Sequence, residues 1–180
     1  MDDAPTPQPE DKRSRSILPA EFQPGDVVAV CSVLLPYVLA PLQQEPGSLA
    51  VADYSVRGLE SQIAIKAKTL DELVCCCGAD RHTFEHALMS MLAYPCRAVI
   101  VEASWAELEL GEWRYAMKPA AVVSSILAWI GAGVPFILAG NRERAQTYTS
   151  KLLYLAARRR WRELRSLAGG IVEPFEGLRT

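Results

Sequence analysis

The chain has 180 residues, of which half are apolar and 22% charged, and its formal net charge is −2. That length suits one domain with a full hydrophobic core, and the composition is ordinary for a globular chain. The slight negative balance excludes a protein that coats nucleic acid through bulk positive charge, so any DNA contact has to come from a local patch.

Residues 1–25 are rich in Pro, Asp and Gln and read as a disordered acidic tail. Their opening, MDDAPTPQPEDK, has the character of neither a signal peptide nor a transit peptide. The folded unit is expected over 26–168, with a C-terminal tail over 169–180 and no internal repeat. Strands are expected near Val27 to Val33, Leu49 to Tyr54, Gln62 to Lys66, Ala98 to Glu102 and Pro135 to Leu138. Their Val/Ile-rich runs suit a sheet buried on both faces, as parallel sheets are. Helices are expected near Leu70 to Cys77, His82 to Leu92, Trp105 to Leu110, Ala120 to Ile130 and Arg142 to Leu167. Ser104 with Glu107 forms a capping-box signature, and Asn141 suits the N-cap of the last helix. Strands alternating with helices give a three-layer α/β domain with a mostly parallel central sheet.

Three further patterns have bland readings. Pro119 to Gly140 carries no charge, but Gly131, Gly133 and Pro135 break the run, so a core helix feeding a short buried strand is expected rather than a membrane span. The consecutive Cys75, Cys76 and Cys77 lack zinc-site spacing and read as small buried residues in a reducing compartment. His82 and His86 have the i, i+4 spacing of a chelating pair but no third ligand nearby, and read as surface histidines.

The segment from Asp53 to Glu72, DYSVRGLESQIAIKAKTLDE, resembles the core of the XPF-type nuclease domain, found in structure-specific DNA endonucleases of the excision-repair cross-complementation family. That family reads Gly-Asp-Tyr-Ser-Val, a turn, an apolar strand ending Glu-Arg-Lys, and a helix with an acidic start. Asp53, Tyr54, Ser55, Val56, Gly58, Ile63, Ile65 and Lys68 match, whereas Lys66 and Ala67 replace the Glu and Arg. Upstream, Val30 to Val33 fall where the family carries Asp-Thr-Arg-Glu. The resemblance implies a restriction-endonuclease-like fold and a function in DNA processing or repair. It also implies DNA as a partner, branched structures included, and dimerisation with itself or a relative through C-terminal helices; the location expected is cytoplasmic, and nucleoid-associated if the protein binds DNA. The tandem helix-hairpin-helix module that commonly follows this domain in the family is not expected in the short stretch from Gly169 to Thr180.

Strand alternation sends Ile63, Ile65 and Ala67 to one face and Ala64, Lys66 and Lys68 to the other, with Asp53 facing the lysines from the preceding strand. A metal-dependent nuclease holds Mg²⁺ or Mn²⁺ with several carboxylates. By the resemblance, Val30 and Lys66 replace two of them and make the site three charge units more positive. No cofactor is therefore expected, and Mg or Mn would be required only if activity persisted. In that case Asp53 would be the metal ligand and Lys68 the group that positions water or stabilises the phosphate. Glu60 or Asp71 would serve as recruited carboxylates in a still-active enzyme, while Glu72 is expected to cap its helix. Two other readings stand beside residual catalysis: Lys66 and Lys68, with Arg81, form a phosphate-binding surface for uncut DNA, or Lys66 reaches solvent and leaves Asp53 and Lys68 as a structural ion pair. A protein-interaction scaffold without DNA affinity is the third functional class. The last helix carries Arg158, Arg159, Arg160, Arg162 and Arg165, which suit either a solvated face or a DNA-backbone patch. Its apolar residues Ala145, Tyr148, Leu152, Leu155 and Ala156 suit a partner-facing stripe.

Overall fold

Short Val/Ile-rich segments pair into one six-stranded sheet with the order β2-β1-β3-β4-β5-β6 in a computed structural model that describes residues 18–171. The strands are β1 (Val28–Cys31), β2 (Gln43–Pro46), β3 (Tyr54–Val56), β4 (Ile63–Lys68), β5 (Cys96–Val101) and β6 (Phe136–Leu138). The β1–β2, β4–β5 and β5–β6 pairs run parallel, and β3 runs antiparallel to both β1 and β4. Central β4 and β5 stay in register from Ile63↔Cys96 to Lys68↔Val101. Both carry apolar side chains on two faces, which requires cover on each side.

Five helices supply that cover: α1 (Leu70–Cys77), α2 (Arg81–Met91), α3 (Trp105–Leu110), α4 (Pro119–Gly131) and α5 (Arg142–Ile171). On one face Ala64, Val99 and Val101 pack with Leu73, Leu88, Leu108 and Ile126 from α1 to α4. On the other, Ile63, Ile65, Ala98 and Ile100 pack with Ala145, Leu153 and Ala157 of α5. The result is a three-layer α/β domain with an unequal pair of outer layers. Capping boxes fix the starts of α1, through Thr69 and Glu72, and of α3, through Ser104 and Glu107. The uncharged segment from Pro119 becomes α4 followed by β6, and among the described residues no helix is long and apolar enough to cross a membrane.

Three boundaries differ from the sequence expectation. The strand expected over Leu49 to Tyr54 begins only at its end: Asp53 N–H donates to the Ile65 carbonyl at 2.9 Å, while Ala52 turns into the helical core. β2 was not foreseen, because QQEP is polar and ends in proline, a pattern tolerated at the sheet edge where this strand lies. Before Gly25, Phe22 stacks on Tyr154 at 6.0 Å and on Trp161 at 5.7 Å, so packing extends into the segment assigned to the tail. At the other end α5 continues to Ile171, and the rest of both expected tails, residues 1–17 and 172–180, lies outside the described residues.

Candidate functional site at the strand ends

β3 and β4 bring Asp53 and Lys66 together at the ends of adjacent strands. Lys66 Nζ lies 3.5 Å from Asp53 Oδ1 and donates a 2.7 Å hydrogen bond to the Val51 carbonyl. Asp53 Oδ2 accepts the Ala67 N–H at 2.8 Å. The two side chains are only 14% and 16% exposed, so the pair is largely withdrawn from water. An ammonium held by a carboxylate and a carbonyl takes the kind of oxygen environment that a divalent cation would require. Desolvation also makes breaking such a pair costly, because the survivor is left as a buried, uncompensated charge.

Val30 pairs across β1 and β3 with Ser55, which places it diagonally from Asp53 on the same face, at a typical spacing of about 7–8 Å. Its side chain is 6% exposed and packs against Gly47, where a Cβ would stand 2.4 Å from Val30 Cγ1. Valine and glycine thus fill this corner by contact, and Val30 brings no oxygen to the pair.

Neighbouring carboxylates are engaged elsewhere. Glu72 accepts from the Thr69 N–H at 2.8 Å and from Thr69 Oγ1 at 2.9 Å, closing the α1 cap. Asp71 accepts from Arg114 Nε at 2.8 Å, and Glu60 accepts the Gly58 N–H at 3.0 Å. Lys68 is half-buried on the Lys66 side of β4, close enough to α1 to pull against the upward shift of the Cys76 thiol. Arg81 stands apart from this group. It donates to Ser125 Oγ at 2.8 Å, pairs with Glu85 at 2.9 Å, and lies 5.5 Å over the Trp129 ring, tying α2 to α4. His82 and His86 are exposed on α2, and the described residues contain no group of three or more His, Cys, Asp or Glu able to hold a metal. The donors around Asp53 do not fit a divalent ion: one carboxylate faces an ammonium, and no second carboxylate joins it.

Tyr37, Glu102 and Arg142, which sequence reasoning did not single out, gather at the same strand ends. A cleft of about 340 Å³ is lined by Tyr37, Tyr54, Lys68, Glu72, Glu102 and Arg142, among others. Tyr37 and Tyr54 stack with centroids 5.2 Å apart, and the Tyr37 N–H donates to Tyr54 Oη at 2.8 Å. Arg142 lies 5.0 Å over the Tyr37 ring and donates to Glu102 Oε1 at 3.0 Å. Burial pushes the Tyr54 phenol up to about 12 and raises Tyr37 as well, so both stay neutral at ordinary pH. The available signal was Glu102, a polar residue directly after an apolar parallel strand, at the end where α/β sheets place their ligands.

The fold has a solved counterpart. XPF from Aeropyrum pernix superposes with a TM-score of 0.58 at 18% identity, over 72% of this chain and 61% of that one. The fold is that of an XPF-type nuclease domain. No family model and no curated protein matches the sequence. That likeness is one of fold, and the chemistry within it has to be read from this chain's own side chains. Those side chains hold a closed ion pair and an aromatic cleft.

Proposed function

We propose that this protein is a catalytically silent XPF-type domain that works as a DNA-associated or dimer-partner module in DNA processing. The observation that carries the reading is the Lys66 ammonium seated on Asp53 and the Val51 carbonyl. Two-metal or one-metal phosphodiester hydrolysis needs anionic oxygens to fix the cation, and a positive charge about 4 Å away opposes that cation by several kcal/mol even at an effective dielectric of about 20. Lys68, which remains nearer solvent than the core, supplies a positive charge for an uncut phosphate. The association with DNA and the pairing with a second nuclease-like domain are supported by the likeness of fold and are open to direct assay. Incubation with flap and splayed-arm DNA in Mn²⁺ should give no cleavage, while a gel shift on the same substrates should give salt-dependent binding. Cleavage that disappears in Asp53→Ala would overturn the silent reading. Absence of both cleavage and binding would leave a protein-interaction scaffold.

A further inference from the structure

Helix α5 has two unlike faces. Ala145, Thr149, Ser150, Leu153 and Ala157 are buried against the sheet. On the opposite side, Arg144, Lys151, Arg158 and Arg165 recur every seven residues, with Arg162 and two exposed apolar residues, Tyr148 and Leu155, in the half-steps between them. Alternating steps of four and three residues align side chains along one edge of a helix. The edge therefore presents five cations, one aromatic ring and one leucine, with no acidic residue among them.

These charges are left uncompensated. Glu163, the acidic residue in the C-terminal half of α5, lies on the flank and is taken by Arg159 at 3.2 Å and Arg160 at 3.0 Å. Among the described residues, none of the five stripe cations forms an ion pair within 4.0 Å. The contacts they do make hold guanidinium groups without neutralising them. Arg158 lies 6.0 Å over the Tyr154 ring, and Arg165 lies 5.2 Å over Trp161 while donating to the Ala20 carbonyl. From Arg144 to Arg165 the edge is about 30 Å long at 1.5 Å per residue. That equals about nine base steps of duplex at 3.4 Å each. In a chain of net charge −2, so regular a line of unpaired cations is a local polyanion footprint.

We infer that the outer edge of α5 is a nucleic-acid backbone contact, seated against phosphodiesters over roughly one helical turn of duplex and lying across the sheet from Asp53 and Lys66. The inference rests on the DNA-association reading above and locates that association on a different surface. An anionic membrane fits less well, because an interfacial helix needs a broad apolar face and this edge offers only Tyr148 and Leu155. Tyr148 and Leu155 suit sugar contacts between phosphates.

The test is the salt dependence of binding to a fluorescent duplex by the full chain, its triple variant Arg158→Gln, Arg162→Gln, Arg165→Gln, the matching triple Arg→Lys variant, and Lys68→Gln on the other surface. Glutamine is a good helix former, so the exposed substitutions should leave α5 intact. Each phosphate contact removed should flatten the slope of log K against log salt by about 0.9. The inference expects a slope flatter by two to three such steps in the Gln variant, near-complete retention in the Lys variant, and a change of at most one step in Lys68→Gln. Binding whose slope is unchanged in the Gln variant, whether or not it is flattened in Lys68→Gln, would sink the α5 contact and keep DNA association. No binding of duplex or single strand at low salt would sink both. Tighter binding to phosphatidylserine vesicles than to DNA, lost in the Gln variant, would assign the stripe to a membrane and overturn the inference.

Discussion

Replacing Lys66 by Glu turns the Asp53 contact from attractive to repulsive while leaving the strand in place. The two side chains lie 3.5 Å apart and are 14% and 16% exposed. At about 4 Å and an effective dielectric of about 20, one unit pair is worth about 4 kcal/mol. Swinging the new carboxylate toward water discharges part of that, so K66E should lose about 2–3 kcal/mol in the presence of EDTA. For a domain of this size the loss corresponds to a fall in Tm of about 5–10 °C. Two facing carboxylates are also the beginning of a cation site, and Mn²⁺ at about 100 times its dissociation constant should restore about 2.7 kcal/mol. Thermal denaturation of wild type and K66E, each in EDTA and in Mn²⁺, reads all four values. The expected pattern is a Mn²⁺-insensitive wild type and a K66E variant that is weak in EDTA and rescued by the metal. A K66E protein as stable as wild type in EDTA, or a wild type that gains as much from Mn²⁺ as K66E does, would refute the reasoning.

Three further outcomes follow from the packing. Burial holds the Cys76 and Cys77 thiols up at about 11, against an ordinary value of 9.0. The unfolded chain therefore loses these protons first, so stability is intact below pH 9 and falls as pH rises toward 11, by about 2 kcal/mol for each thiol. Urea unfolding on both sides of that window checks the sign, and a flat profile would contradict it. A Cβ at Gly47 would stand 2.4 Å from Val30 Cγ1, so Gly47→Ala should cost about 1–3 kcal/mol. In a double-mutant cycle Val30→Ala should absorb part of that cost, and strict additivity would show that the contact relaxes elsewhere. Thr69→Ala removes the α1 cap and should cost about 1 kcal/mol by chemical denaturation, whereas an unchanged midpoint would deny the capping role of Thr69 and Glu72.

The parts of this protein that were legible in its sequence are those where one local rule dominates. Apolar runs such as AVIV and IAI read as buried strands, and Ser104 with Glu107 marks a helix start by a fixed spacing. The alternation that separates Ile63 and Ile65 from Ala64 and Lys66 is a property of any extended strand, and the two core clusters divide along it. β2 was illegible because an edge strand is specified by its neighbour's free hydrogen-bonding groups and not by its own polar side chains. The start of β3 was misplaced because Leu49, Val51 and Ala52 are apolar for the sake of the helical layer rather than for pairing. At the site, the mismatch of Lys66 could be seen, but Lys66, expected to reach solvent if the site were merely structural, takes Asp53 in place of Lys68 and adds the Val51 carbonyl, because residues 49–53 bend over it. The tyrosine cleft was missed for a similar reason: Tyr37, Glu102 and Arg142 are far apart in sequence, and only the fold stacks them.

The account stands or falls on whether Lys66 excludes a divalent ion from Asp53. Titration of the wild-type protein with Mn²⁺, followed by the electron paramagnetic resonance of the free ion, measures this without any substrate. The prediction is a titration without a saturable site, identical in wild type and Asp53→Ala. One equivalent of bound Mn²⁺ that disappears in Asp53→Ala would contradict it.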